Sequence, residues 1–326
     1  MLRGAGAGSP RRDGESTVPL LRFIPETTNV DFVKWRYAAF AVDGLLLVIA
    51  IASMVVRGFN LGIDFQGGVQ IEAKAAHAVD IGSVRAQLGA RGFNDINVQH
   101  FGGGACDTPA NSCVLIRTKP AADVSGETVV RSIKQKLGSE FTFRDTQVIG
   151  PKISEELFRS GVVATILAVV MIALYVAFRF EWQYGVGALI ATGHDVFVTA
   201  GLYSVLQLDF SINSVAALLL LAGYSINDTV VVFDRIRENR RKYKRMPIAE
   251  LINLSTNQIA TRTTLVSAAM ALTVLPLLLF GGPVLLDFSA AILFGVLVGT
   301  FSSTYVAAAL LLYLPPVGGE AREQPA

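Results

Sequence analysis

Residues Leu218–Arg241 read LLLLAGYSINDTVVVFDRIRENRR. The stretch begins as an uncharged apolar helix and ends in a cluster of arginines. Asp228 lies inside the apolar part, with Asn227 before it and Thr229 after it. A carboxylate within a hydrocarbon-spanning segment is costly, and such residues are rare and functional. Asp228 stands seven residues before Arg235, about 10 Å along a helix axis. That depth is inside the hydrocarbon, nearer the arginine end. The stretch therefore predicts a membrane span that carries a working acid.

Composition agrees with a membrane chain. The 326 residues are 52% hydrophobic and 17% charged, against about 25% charged in soluble domains, and mean hydropathy is +0.49. The net charge of +2 gives no broad field for nucleic acid, so the lipid bilayer is the expected surrounding and nucleic acid is not an expected partner. Residues 1–16 are polar and rich in Gly, Ser and Arg. They lack the apolar run and small-residue site of a cleaved signal peptide.

Six spans are expected. The first runs from Tyr37 to Val56, and the others cover 160–178, 183–206, 211–233, 263–281 and 287–313. Each is long enough for about 30 Å of hydrocarbon. Trp35, Arg36 and Tyr37 read as an interfacial anchor. Asp43, near the start of the first span, reads as snorkelling to that interface. Pro276 is expected to kink the fifth span, Gly295 and Gly299 form a close-packing signature, and Gly223–Tyr224–Ser225 gives room for another backbone. Pro247–Leu254 reads as a short amphipathic surface helix.

Between the first and second spans lies a polar insert with soluble periodicity. Strands are expected at Gly67–Lys74, Ile96–Phe101, Cys113–Thr118 and Phe141–Ile149. Helices are expected at Ile81–Ala90, capped by Asp80, and from Ser125 through Leu137. A loop falls at Gly102–Gly104 with Pro109 and Asn111. The order is βαββαβ, a small α+β ferredoxin-like domain. The expected division is an arm at 1–34, the first span at 35–56, the insert at 57–157, a five-helix region at 158–314 with a loop at 234–261, and a tail at 315–326.

Lys and Arg in the short segments set the orientation. Residues 1–36 carry six and residues 235–245 carry seven. The turn after the second span carries Arg179, and the short loops around Leu208 and Gly282 carry none. The positive-inside rule puts both termini in the cytoplasm and the insert outside, in a bacterial periplasm. Cys106 and Cys113 then sit in an oxidising compartment, where a disulfide could staple the hairpin or two thiols could stay unpaired.

Two further features could carry chemistry. Arg262, at the cytoplasmic mouth of the fifth span, is at a depth to pair with Asp228. The pair would tune the acid or simply hold two helices together. His194 and Asp195 lie near the middle of the third span. They point about 100° apart on a helix, so at most one would face a given partner, either to move protons or substrate or as interhelical glue. Catalysis is not expected. H-E-x-x-H and G-x-S-x-G motifs are missing, and a total of three histidines argues against a His-based metal site. Asp195 and Asp228 would have to face one another to hydrolyse peptides in the membrane. No Walker A sequence is present. The expectation is therefore no metal, no cofactor and no enzyme, with an ion gradient as the energy source.

The motifs together are specific. LGIDFQGG (Leu61–Gly68), GHDV (Gly193–Val196), YSINDTVVVFDRIREN (Tyr224–Asn239) and the arginine of QIATRTTL resemble the SecF proteins of the SecD/SecF family over roughly residues 30–314. The resemblance implies a six-span half of an RND-type fold, completed by a SecD half beside the SecYEG translocon. It implies use of the proton motive force to help a translocating preprotein across the inner membrane. It also puts the family's intramembrane acid at Asp228 and its arginine at Arg262, with Asn227, Asp195 and His194 as further relay candidates. Two rival readings stand beside it: an RND-type small-molecule or lipid exporter subunit, and a passive translocon scaffold in which Asp228 is structural. The small insert argues against an exporter.

Overall fold

The computed structural model describes residues 28–89, 96–100, 106, 109–119 and 124–315. The start of the arm, the Gly102–Gly104 loop and the end of the tail lie outside the described residues. Six helices are long and apolar enough to cross a membrane. In chain order they are α1 (Arg36–Val56), α5 (Pro151–Arg179), α6 (Trp182–Leu206), α7 (Ile212–Lys242), α8 (Ile248–Phe280) and α9 (Gly282–Phe301). The last continues through a π-helical segment, Ser302–Ala307, into Ala308–Leu310. The chain is a multi-pass membrane protein.

α8 corrects one expectation. Pro247 is its N-cap, and the helix runs unbroken for 33 residues, about 50 Å. The predicted surface helix is thus the first turns of the fifth span. Leu251, Ile252, Ser255 and Thr256 bury one face of it, which is why it reads as amphipathic. Pro276 lies inside α8 without ending it.

The insert forms β2 (Gly68–Ala75), α3 (Ile81–Gly89), β3 (Ile96–His100), β4 (Cys113–Thr118), α4 (Gly126–Leu137) and β5 (Phe141–Ile149). This is the expected βαββαβ order. The antiparallel sheet runs β3-β4-β2-β5. Period-two alternation in β2 puts Val69, Ile71 and Ala73 in a core with Val98, Ile116, Val84, Leu88, Val129 and Ile133. The helix starts are capped as their sequences require. Asp80 accepts from the backbone N–H groups of Gly82 and Ser83, and Ser125 accepts from Thr128 N–H. Cys106 and Cys113 are disulfide-bonded, with Cα atoms 5.3 Å apart.

A second, smaller set of contacts joins the insert to the spans, and the sequence did not announce it. β1 (Asn60–Leu61) pairs in parallel with β6 (Asp209–Phe210), the turn between α6 and α7. α2 (Ile63–Gln66) follows β1 and ends at Gly67 and Gly68. Both have positive φ, 71° and 135°, and a Cβ at Gly68 would meet Thr118 O at 2.8 Å. Only glycine lets β2 start this close to β4.

The opposite end of the bundle is also tied together. Asn257 bonds Thr28 and Val30, and Asn253 bonds Asp31 and Val33, from the first turns of α8. Arg36 donates to Tyr313 OH. The segment before α1, the α7–α8 turn and the chain after α9 therefore share one end. Arg179 and Arg237 lie against Phe180 there. The insert occupies the other end.

Candidate functional site: a buried acid cluster between two apolar layers

The spans have two apolar cores. One, near the basic end, includes Tyr184, Phe233, Ile236, Leu251 and Ile252. The other, under the insert, includes Phe65, Tyr203, Phe210, Leu218, Ile292 and Val296. Between them α6, α7 and the last span hold a layer of buried polar side chains.

Asp195 is its centre and is 0% exposed. Its Oδ2 accepts from Ser225 Oγ at 2.6 Å and Ser302 Oγ at 2.7 Å. Its Oδ1 lies 3.2 Å from His194 Nδ1, and His194 Nε2 faces the carbonyl oxygen of Asp43 at 3.3 Å. The two neighbours on α6 thus bond to each other and belong to one cluster, although their backbone directions diverge. Side-chain rotation closes the gap that helical spacing opens. Asp43 corrects a second expectation. It does not reach out to an interface; it is 4% exposed, and neither carboxylate oxygen has a hydrogen-bond partner among the described residues.

The last span approaches this closely because of its glycines. A Cβ at Gly299 would sit 3.4 Å from Asp195 Oδ2, and one at Gly295 would come within 2.5 Å of Leu221. The small-xxx-small signature is used as expected. Among the described residues nothing comes within 4 Å of a Cβ built at Gly223, so the approach expected there is not made among them.

Asp228 lies three residues along α7 from Ser225, on the same face. It is 8% exposed, and its Oδ2 has no hydrogen-bond partner among the described residues. The hydroxyls of Thr263 and Ser303 lie beside it. Ser303 Oγ is also 2.9 Å from Thr229 Oγ1. Asp195 and Arg262 are both within electrostatic reach of Asp228. The expected Asp228–Arg262 ion pair is not formed among the described residues, and Arg262 is exposed on α8. Thr263, one position on, is the α8 residue that turns inward. Asn227 is exposed too; it points out of the bundle while Asp228 points in, the usual consequence of adjacency on a helix.

Ser225, Ser302, Ser303, Thr229 and Thr263 are the site residues that reading for charge overlooked. Ser225 had a signal, since it stands three residues before Asp228. The serines of the last span had none, because small hydroxyls are common in packed spans. Among the described residues no cluster of His, Cys, Asp and Glu is arranged to hold a metal ion.

At the far end, Arg117 on β4 forms a two-pronged ion pair with Asp209 on β6, and its Nε donates to Gln70 Oε1 at 2.9 Å. Asn60 also donates to Asp209, and Asp209 N–H donates to Asp287 at 3.0 Å. These groups border a cleft of about 580 Å³ between the open face of the sheet and the spans. Glu72 stands on that open face. Burial, with Asp145 nearby, raises its carboxyl above the usual range, against a smaller opposing pull from Arg144.

The sequence profile described as "Protein export membrane protein SecD/SecF, C-terminal" matches residues 129–316, more than half the chain. The chain belongs to the SecD/SecF family. The family's "SecD/SecF GG Motif" profile matches residues 52–79, which contain the positive-φ Gly67–Gly68 pair. The protein translocase subunit SecF of Rhodobacter capsulatus is 38% identical, over 90% of this chain and 91% of that one. The SecF subunit of Escherichia coli O157:H7 is 39% identical, over 87% of each. The SecDF translocase subunit of Brucella abortus is 35% identical over 90% of this chain but only 38% of its own length. The crystal structure of SecDF from Thermus thermophilus, described as a translocon-associated membrane protein, superposes with a TM-score of 0.79 at 37% identity. It is covered over 88% of this chain and 39% of that one. This chain therefore spans about two fifths of the solved SecDF protein and nearly the whole of the SecF subunits.

Proposed function

We propose that this chain is the SecF-type half of a proton-coupled protein-export device in the bacterial inner membrane. A SecD-type half completes it, and the pair works beside the SecYEG translocon on a translocating preprotein. The match to one part of fused SecDF proteins supports the two-half assembly, as does the exposed Asn227 and Gly223 face of α7, which the described residues leave uncovered. Both termini are cytoplasmic and residues 57–157 are periplasmic. The supports are the lysines and arginines of residues 235–245 and the tethering of residues 28–36, the α7–α8 turn and Tyr313 at one end of the bundle. Cys106 and Cys113 are then oxidised in the periplasm.

One observation carries the proton reading. Asp228 is buried inside a span with an unpaired carboxylate oxygen and no ion pair among the described residues. A buried charge without a partner is a liability that a purely structural residue would not retain. A site that alternates between charged and neutral forms needs such an environment. Asp228 is the primary acid, Arg262 the cation that approaches it during the cycle, and Asp195 with His194 a second relay site. Asn227 lines the face shared with the other half. No bound cofactor and no covalent catalysis are required.

Export of a secreted protein into inverted vesicles, with and without an imposed proton gradient, tests this reading. Vesicles containing this chain should show gradient stimulation that vesicles lacking it do not; equal stimulation in both refutes it. Orientation is checked by cysteine labelling, which should place Lys119 outside and Lys242 inside. Labelling of both from one side contradicts the six-span arrangement.

A further inference from the structure

Ser302 and Ser303 sit side by side at the start of the π-helical segment, and both are fully buried. Ser302 Oγ donates to Asp195 Oδ2 at 2.7 Å. Ser303 Oγ bonds Thr229 Oγ1 at 2.9 Å and lies beside Asp228. In an α-helix adjacent side chains diverge by about 100°. A π turn holds more residues, so neighbours diverge less and both hydroxyls can serve one buried layer. π segments are rare, form poorer backbone ladders, and concentrate at functional sites. Here the segment begins at the two residues that contact the two acids.

We propose that Ser302 and Ser303 are positioning residues that join Asp195 and Asp228 into one coupled unit through the π-helical turn. The inference rests on the proton-coupled reading above and adds to it a physical link between the acids. A serine hydroxyl donates to a charged carboxylate but can accept from a neutral one. A change of charge at Asp195 therefore reorients Ser302, and a change at Asp228 reorients Ser303. The two serines share one peptide bond within a helical turn whose hydrogen-bond register can shift. The charged and titratable groups around the two acids are Asp43 on α1, His194 on α6 and Arg262 on α8. Each senses the same layer, so the pH response belongs to the cluster rather than to one residue.

The test uses the full chain assembled with its partner half in inverted vesicles. Ser302→Ala, Ser303→Ala, Ser302→Thr and Ser303→Thr are compared for gradient-stimulated export across pH. Each alanine variant should lower stimulation about tenfold, the size of one lost hydrogen bond to a charged group, and should shift the pH profile. Each threonine variant should restore both. Ser267→Ala is the control. Ser267 accepts from Tyr224 OH at 2.8 Å and bonds Thr300 at 2.7 Å, a half-buried hydroxyl chain with no hydrogen bond to either acid among the described residues. It should lose stability without a pH shift. An identical pH shift from Ser267→Ala makes the effect a general loss of helix packing and overturns the inference. Unchanged pH profiles in the alanine variants overturn it as well. Asp228→Asn in the same series separates the two levels. If it keeps gradient stimulation, the proton reading itself fails. If it loses stimulation while both alanine variants match the parent chain, only the serine link fails.

Discussion

The insert and the span bundle bury their interiors in opposite ways. The insert has an apolar core of Val, Ile, Leu and Ala closed by two capped helices and a disulfide. The bundle interposes Asp195, Asp228, Asp43 and a set of hydroxyls between two apolar layers, and leaves oxygens of two of those acids without hydrogen-bond partners among the described residues. An apolar core is stable and has one arrangement. An under-satisfied polar layer in low dielectric is costly in any one charge state and is open to change. The insert is therefore built as a stiff body, and the bundle as the part that can switch. The Arg117–Asp209 ion pair and the β1–β6 pairing join the two.

Four variants sharpen that contrast. Ile116→Ala empties the middle of the insert, where Ile116 is fully buried, and should cost about 3 kcal/mol. Limited proteolysis from the periplasmic side should become much faster while the spans stay assembled. An unchanged cleavage rate would show that the insert is not an independent apolar core. Replacing Cys106 and Cys113 together with serine opens a short covalent loop and should cost about 2 kcal/mol. The same assay reads it, and gradient stimulation should persist. Arg117→Ala removes a partly exposed ion pair and should cost only about 1 kcal/mol. Hydrogen exchange should rise at residues 113–118 and 207–211 together, while the remaining strands stay protected. Faster exchange throughout the insert would mean that Arg117 holds the domain's fold rather than its docking.

Glu72→Gln should have the smallest effect. Burial and Asp145 make the folded state bind this proton more tightly than the unfolded chain does. The folded insert is therefore penalised as pH rises past the ordinary glutamate range, and relieved below it. The variant should resist proteolysis slightly better than the parent at neutral pH and equally at acid pH. A difference that grows on acidification would reverse the sign and contradict the account.

Much of this was readable in the chain. Period-two alternation over Gly68–Ala75 and the caps Asp80 and Ser125 specify the insert, because each residue there obeys a local rule. The spans and the depth of Asp228 follow from hydropathy and the arginine run. The contacts across helices were harder to read. Spacing placed His194 and Asp195 on different faces, and only side-chain rotation joins them. Arg262 was at the right depth, yet helix rotation turns Thr263 inward and leaves Arg262 outside. Asp43 looked close enough to the first helix end to escape the hydrocarbon, but α6 packs over it. β1 and β6 are two residues each, too short to carry a pattern. Azimuth around a helix is set by tertiary packing, and one sequence records it weakly.

The central claim is that Asp228 works by changing charge. Asp228→Asn keeps the side chain's size and hydrogen-bonding capacity but cannot titrate, and a neutral amide costs less to bury than an unpaired carboxylate. The decisive measurement is export of a secreted protein into inverted vesicles containing this variant assembled with its partner half, with and without an imposed proton gradient. The account predicts normal assembly and loss of gradient stimulation. Full stimulation in the assembled Asp228→Asn variant would contradict it.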